Sequence, residues 1–470
     1  MVTRRRCMNK HFAVITAVLL ITLFTVGTAF SYSVGSEYED AKITASDSGG
    51  YDYFGKSVSI SGDVAIAGSY KDDDNGTNAG AAYIYRFDGD QWVEEAKLLA
   101  SDGSNNDEFG TRVSIDGDIA IVGAPKNGYH AGTAYVYRFN GTQWVEQAIL
   151  QGSSKNTYGG FGFSVCVEGD KVIVGEYGFS TFAGCAFVFR FNGKSWVEES
   201  KLVASDGLSV DELGWSVSIS GDTAIVGAPY SDGDGNWSGS AYLFRFNGND
   251  WVEESKLTAS DASSDDKFGN SVSISGDNVF VGSPYADNSD GMNSGAVYAY
   301  RYDGGSWVEQ SKLFTSDGTA DDSFGYHVSL SGINAVVGAY TDDDNGTDSG
   351  SVQMYHFDGD SWIEGSKLLA SDGTSENFFG YSVCISDTNV IVGSPQDGNN
   401  HGAAYIYNLD QETGGCDGDI NGDSVVNVAD LLVVIADWGS STGDATDINQ
   451  DGVVDVLDLL LLVAAWGPCE

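Results

Sequence analysis

The pair Phe-Gly, or a near match, recurs seven times, at Phe54-Gly55, Phe109-Gly110, Phe161-Gly162, Leu213-Gly214, Phe268-Gly269, Phe324-Gly325 and Phe379-Gly380. Successive copies lie 55, 52, 52, 55, 56 and 55 residues apart. Each is followed by a second signature (AGSY, VGAP, VGEY, VGAP, VGSP, VGAY, VGSP) whose glycine never changes: Gly68, Gly123, Gly175, Gly227, Gly282, Gly338 and Gly393. Self-similarity at such a period marks a repeat architecture, in which each unit buries its apolar faces against its neighbours. The second unit runs RVSI, AIVGAP, TAYVYRF, QWVEQAIL. Alternation, β-branched and aromatic residues, and Gly, Asn and Asp in the breaks make these four short strands. Four strands repeated seven times predict an all-β, seven-bladed β-propeller over residues 37–410.

The ends of the array say how it closes. EDAKITASD (39–47) matches EEAKLLASD (94–102), the fourth strand of a unit, while the last unit stops after GAAYIYNL (402–409). A leading strand at 38–46 is therefore expected to complete the final blade and remove two open edges. Glu37 stands where the other units carry Trp92, Trp144, Trp196, Trp251, Trp307 and Trp362. Recurrence at one position makes these six packing residues rather than sugar-stacking platforms. Trp215 and Trp237 fall outside the register and are better candidates for surface contact. The Phe of Phe-Gly reads as a wedge between blades, and the signature glycine as a tight turn where a Cβ would clash.

Phe-Gly followed by Gly-Ala-Pro and an acidic loop resembles the FG-GAP repeats of integrin α-subunit propellers, over about residues 37–410. Kelch repeats share the Tyr85-to-Trp92 spacing but lack the Phe-Gly start, and their glycine pair is missing here. The resemblance implies cation loops of the form D-x-D-x-D-G-x-x-D. The loops KDDDNGTNAG (71–80), SDGDGNWSG (231–239), ADNSDGMNSG (286–295) and TDDDNGTDSG (341–350) depart from it, with Lys71, Tyr230, Ala286 and Thr341 at the first ligand position. Asp72–Asp74 and Asp342–Asp344 are the best places for weak calcium binding, against plain solvated turns.

Composition changes after the linker 411–415. In DINQDGVVDVLD (447–458), oxygens fall at loop positions 1, 3, 5, 9 and 12: Asp447, Asn449, Asp451, Asp455 and Asp458, with Gly452 at the sharp turn. DINGDSVVNVAD repeats the pattern with Asp419, Asn421, Asp423, Asn427 and Asp430, Ser424 replacing the glycine. Hard oxygens at alternate residues of a tight loop are what Ca2+ requires. An apolar helix follows each loop, LLVVIADWG and LLLLVAAWG. Asp at position 12 and the missing entering helix separate the pair from calmodulin-like EF-hands. Residues 416–470 resemble a dockerin type I domain, which implies calcium-dependent docking to a cohesin-like partner. The Ser-Thr pair usual at loop positions 10 and 11 is replaced by Val428-Ala429 and Val456-Leu457, so the partner's identity is open. Cys416 and Cys469 stand just outside the pair. Symmetric halves would bring their ends together, so a disulfide is expected, with free thiols as the alternative.

Arg4, Arg5, Arg6 and Lys10 precede an apolar run, Phe12 to Val26, and the small residues Gly27-Thr28-Ala29. Residues 1–29 read as a secretory signal, with an uncleaved anchor as the alternative. The formal net charge is −45, and removing those residues leaves −49. Nucleic acid and anionic membranes would be repelled. Cys166, Cys185 and Cys384 fall in predicted strands and read as buried thiols.

HExxH, P-loop, GxGxxG and CxxC patterns are missing, and GSSTG (439–443) lacks the preceding strand of a nucleophile elbow. His130, His327, His356 and His401 lie in different blades at different registers. Asp107, Asp211, Asp266 and Asp322 recur before Phe-Gly, which favours turn chemistry over acid–base catalysis. Two readings follow. One is a secreted, non-catalytic binding or adhesion protein, whose propeller recognises an extracellular protein or glycan and whose tail tethers it. The other is an enzyme or accessory subunit of polysaccharide degradation, which would need two facing carboxylates about 5–9 Å apart.

Overall fold

The computed structural model describes residues 39–470 except 154–156, 179–181, 234, 290, 388, 410–424, 427, 437–453, 455, 457–458, 460–461, 463–466 and 469–470. The expected signal at 1–29 lies outside these residues.

Seven antiparallel four-stranded sheets form the propeller. The first blade comprises Ser57–Ser61, Val64–Ser69, Ala81–Phe87 and Trp92–Leu98, running from the central channel outward. The next five repeat this order. In the seventh, Ser382–Ser386, Asn389–Ser394 and Ala403–Asn408 are joined by Ala41–Ile43, with Ala41 opposite Ile406 and Ile43 opposite Ala404. A register shift recurs at one place between the two outer strands, as at Ile84/Tyr85 and Val136/Tyr137, where a bulge adds twist.

The core lies between blades. One cluster joins Val64, Ile66 and Leu98 of the first blade to Phe109, Val113, Tyr135 and Trp144 of the second. Phe109 is fully buried and meets Tyr135 and Tyr137 edge-on at 5.3 and 6.2 Å. Burying one such ring contributes about 2–3 kcal/mol, and the wedge is repeated around the ring.

The signature glycine has a different reason from the one expected. Gly123 lies inside strand Ile119–Ala124, and a Cβ there would stand 1.9 Å from the carbonyl oxygen of Gly162 in the next blade. Every blade repeats the approach, and Gly393 closes the circle against Gly55 O at 2.0 Å. The two signatures are halves of one contact, because two backbones meet too closely for a side chain.

Serine ladders join the inner strands. Ser57, Ser59 and Ser61 Oγ accept hydrogen bonds from the backbone N–H groups of Val113, Ile115 and Gly117 at 3.0, 3.1 and 3.1 Å. Ser271, Ser273 and Ser275 do the same for Val328, Leu330 and Gly332. The inner strand of each blade is a sheet edge with unpaired donors. Alternate serines of the preceding blade satisfy them, which accounts for S-V-S-I-S.

The outer tryptophans are structural. Trp144, Trp251 and Trp307 Nε1 donate to Glu95, Glu199 and Glu254 of the preceding blade at 2.9, 2.9 and 3.0 Å. Glu95 is held in turn by Arg86, which lies over Phe139 of the next blade at 5.0 Å.

In the tail, Val425–Val426 pairs with Gly467–Pro468, and Val428–Ala436 is a helix. Val434, Val454 and Leu462 are buried. Among the described residues no helix is long and apolar enough to cross a membrane.

Candidate functional site

Three features of the propeller bear on function: carboxylate cages at the blade loops, the mouth of the central channel, and the turns before Phe-Gly.

In the first blade, Lys97 projects from the outer strand into a cage of Asp47 (2.8 Å), Asp72 (2.9 Å) and Asp74 (2.6 Å). Tyr83 OH lies 2.7 and 2.8 Å from the carboxylates of Asp47 and Asp72 and donates its one proton to either. In the sixth, Lys367 meets Asp317, Asp342 and Asp344 at 3.1, 2.8 and 2.5 Å. Burial opposes the charge on Lys97, but its hydrogen bonds to Asp47, Asp74 and Asp72 outweigh that and raise its pKa. Lys367 is raised in the same way. These are the loops expected to bind calcium weakly, and a lysine ammonium fills both. The remaining oxygens are also engaged: Asp72 and Asp342 Oδ1 accept the N–H groups of Asp74 and Asp344. Among the described residues no group of three or more His, Cys, Asp or Glu side chains is arranged to hold a metal ion. The sequence signal was the lysine at one position of the strands WVEEAKL and WIEGSKL, 23 to 50 residues from the acids it meets.

The second blade has Ile149 at the lysine position. There Asn127 Nδ2 bridges Asp107 Oδ2 (3.0 Å) and Tyr135 OH (3.2 Å), while Tyr135 OH donates to Asp102 at 2.6 Å. A cleft of about 860 Å3 opens beside it, lined by Asn75, Asp102, Lys126 and His130 among others.

The aspartates before Phe-Gly hold turns. Asp52, Asp107, Asp211, Asp266 and Asp322 accept the backbone N–H three residues upstream at 2.5–2.8 Å. Burial raises the pKa of each, and pushes Asp322 up to about 6. The residue just before the Phe has a positive φ in every blade, from Tyr53 (56°) to Phe378 (58°), Gly160 included. Strain of this kind clusters at active sites, but repetition in all seven blades makes it architectural here.

The channel encloses about 160 Å3 and is lined by the inner-strand serines together with Arg112, Cys166, Trp215, Tyr326, His327 and Cys384. Cys166 and Cys384 thus occupy ladder positions and face the channel, whereas Cys185 is buried as expected. Burial raises all three thiol pKa values, Cys166 to about 11. His327 also takes a serine's place, its Nδ1 accepting the N–H of Val383 at 3.4 Å. Burial and the Arg112 charge push its pKa down to about 3, so it is neutral at pH 7. Trp215 packs against Phe163 (4.7 Å) and Tyr230 (5.6 Å) at the mouth. Trp237 is 41% exposed, with the Lys267 ammonium 4.3 Å from its ring.

The FG-GAP repeat family model matches residues 38–85, 92–137, 196–244, 251–300, 307–355 and 362–407, together more than half the chain. The chain belongs to the FG-GAP repeat family. The dockerin type I domain model matches residues 417–465. Comparison with curated proteins finds no match. The unmatched stretch 138–195 holds most of the third blade, where Glu176 replaces the Ala or Ser that follows the signature glycine in the other blades. Dockerin type I domains typically bind calcium, dock to cohesin partners, and are found in extracellular proteins.

Of the expected calcium ligands, Asp430 belongs to helix Val428–Ala436. Asp419, Asn421, Asp423, Asn427, Asp447, Asn449, Asp451, Asp455, Asp458 and the pair Cys416 and Cys469 lie outside the described residues, as does the side chain of Asp430.

Proposed function

We propose that this chain is a secreted, non-catalytic binding protein. Its propeller recognises an extracellular protein or glycan, and its dockerin domain tethers it to a cohesin-like partner in a calcium-dependent way. The observation that carries the reading is the dockerin match directly behind an FG-GAP propeller. The donor chemistry of the tail supports calcium: Asp419, Asn421, Asp423, Asn427 and Asp430 would hold one ion, and Asp447, Asn449, Asp451, Asp455 and Asp458 a second. Calcium would neutralise those carboxylates and fix the loops that position each helix.

The docking face is supported by Val428, Leu432 and Ile435, which are 57%, 60% and 50% exposed. Their spacing puts them on one side of the helix. Val428 is also loop position 10, where a dockerin usually carries Ser, so an apolar partner surface fits this chain better than a polar one. Non-catalytic binding is supported by the Asp residues before Phe-Gly, each bound to its own turn. Affinity capture from the native secretome tests the reading, using the full chain and a chain ending at residue 410. The full chain should retain a partner that EDTA releases and that the shortened chain does not bind. An unchanged captured set would refute tethering, and sugar released from polysaccharides by the purified chain would refute the non-catalytic assignment.

A further inference from the structure

Beside Arg112 of the second blade, which lines the channel, lie Lys56 and Lys71 of the first, and among the described residues none of the three has a carboxylate within ion-pair distance. In a chain of net charge −45 this contrasts with Lys97 and Lys367, which sit in carboxylate cages. Lys56 instead bonds to Tyr381 OH and lies 3.9 Å from the centre of that ring and 5.6 Å from that of Tyr70. Lys71 shares the Tyr70 ring at 5.4 Å. Arg112 lines the channel, lies 5.5 Å from the Phe163 ring, and donates to the Thr111 carbonyl at 3.0 Å. Tyr381 OH lies 2.9 Å from Tyr326 OH, so two phenols add hydrogen-bonding capacity beside the cations. Glu108, whose charge reaches Lys56, is paired with Lys126 at 2.7 Å.

The positive field is felt locally. Burial alone would raise the pKa of Tyr381, yet Lys56 and Arg112 outweigh it and lower the value. Arg112 also departs from the repeat, since Ser57, Ser164, Ser216, Ser271 and Ser382 hold the equivalent position in five blades. A guanidinium there gives up a serine of the inner ring and places five donors at the channel mouth.

We propose that the channel mouth binds a single oxyanion, the carboxylate of an acidic sugar, with Arg112 and Lys56 as its charged contacts. This rests on the reading of the propeller as a recognition module and names its ligand class. A guanidinium fork and an ammonium suit a carboxylate. Trp215, which packs on the Phe163 ring under Arg112, and Tyr340, which packs on Tyr326 and Tyr381, add aromatic surface for the apolar side of a sugar. The chain's net charge of −45 favours an isolated charge over a polyanion.

The test is calorimetric titration of the intact chain with glucuronate, glucose, polygalacturonate and a short Glu-containing peptide. The wild-type chain is compared with R112S, which restores the residue of five other blades and so keeps the fold. Glucuronate should bind the wild type, with glucose and polygalacturonate much weaker. R112S should weaken glucuronate about tenfold, the worth of one charge-assisted hydrogen bond. Equal binding of glucose and glucuronate, or no change in R112S, would overturn the oxyanion site while leaving propeller recognition standing. Arg112-dependent binding of the peptide without glucuronate would overturn the sugar. No binding of any probe would overturn the site, whereas capture through the tail would be unaffected.

Discussion

Asp47, Asp72 and Asp74 of the first blade share the ammonium of Lys97, whereas the tail strings Asp447, Asn449, Asp451, Asp455 and Asp458 along one loop with no Lys, Arg or His anywhere from residue 411 to 470. Both regions crowd carboxylates that would repel each other if left bare. In the first and sixth blades the neutralising cation is part of the chain. On the proposed reading the tail's cation comes from solution, and folding of that segment is expected to depend on metal. Built-in neutralisation suits a scaffold that holds its shape, and metal-dependent neutralisation would suit the tethering proposed for the tail.

Breaking the propeller should take an insult to its seams. Gly123→Ala places a methyl group 1.9 Å from the Gly162 carbonyl. Since backbone rather than a flexible side chain must yield, a loss of about 3–5 kcal/mol is expected, read as a shift in the urea midpoint of the β signal. EDTA should do the opposite, abolishing cohesin-type capture and the helical signal of the tail while the β signal persists. A propeller that melted in EDTA would erase the distinction.

Lys97→Met sharpens the comparison by removing a built-in cation. Asp72 is buried, so an uncompensated charge should cost about 2–3 kcal/mol, less than for a fully buried pair because Asp47 and Asp74 are partly solvated. Millimolar calcium should then restore part of the lost melting temperature in the variant and none in the wild type.

Per pH unit, the smallest effect concerns acid. His327 has a folded pKa near 3, below the ordinary value, so between about pH 6.5 and 3 the unfolded chain takes a proton that the folded chain refuses. Stability therefore falls as pH drops through that window, by at most about 1.4 kcal/mol per unit. Arg112 is the charge that faces His327. His327→Ser keeps the ladder bond to Val383 and should flatten that part of the curve, measured as melting temperature against pH.

Much of this was legible in the chain itself. The strands RVSI, AIVGAP, TAYVYRF and QWVEQAIL correspond to Arg112–Asp116, Ile119–Ala124, Thr133–Phe139 and Trp144–Leu150. The wedge role of Phe109 and the packing role of Trp144 followed from recurrence at fixed register, because a position filled alike in every blade answers to the shared architecture. The glycine contact, the serine ladder and the lysine cages were misread or missed. Each joins residues on neighbouring strands or blades, tens of positions apart, and neither partner announces the other. S-V-S-I-S carried a period-two signal, but serines on a strand look like a solvated face until the next blade's unpaired edge is set against them.

The sequence by itself determined the number of blades, the order of strands within each and the family, since those are set by local periodicity and repetition. Only the tertiary structure decided which carboxylates meet a lysine, which cations at the channel mouth are left without a carboxylate, and why a glycine is required at each seam. Charge pairing and steric approach depend on distances that ring closure creates, and no stretch of the chain contains them beforehand.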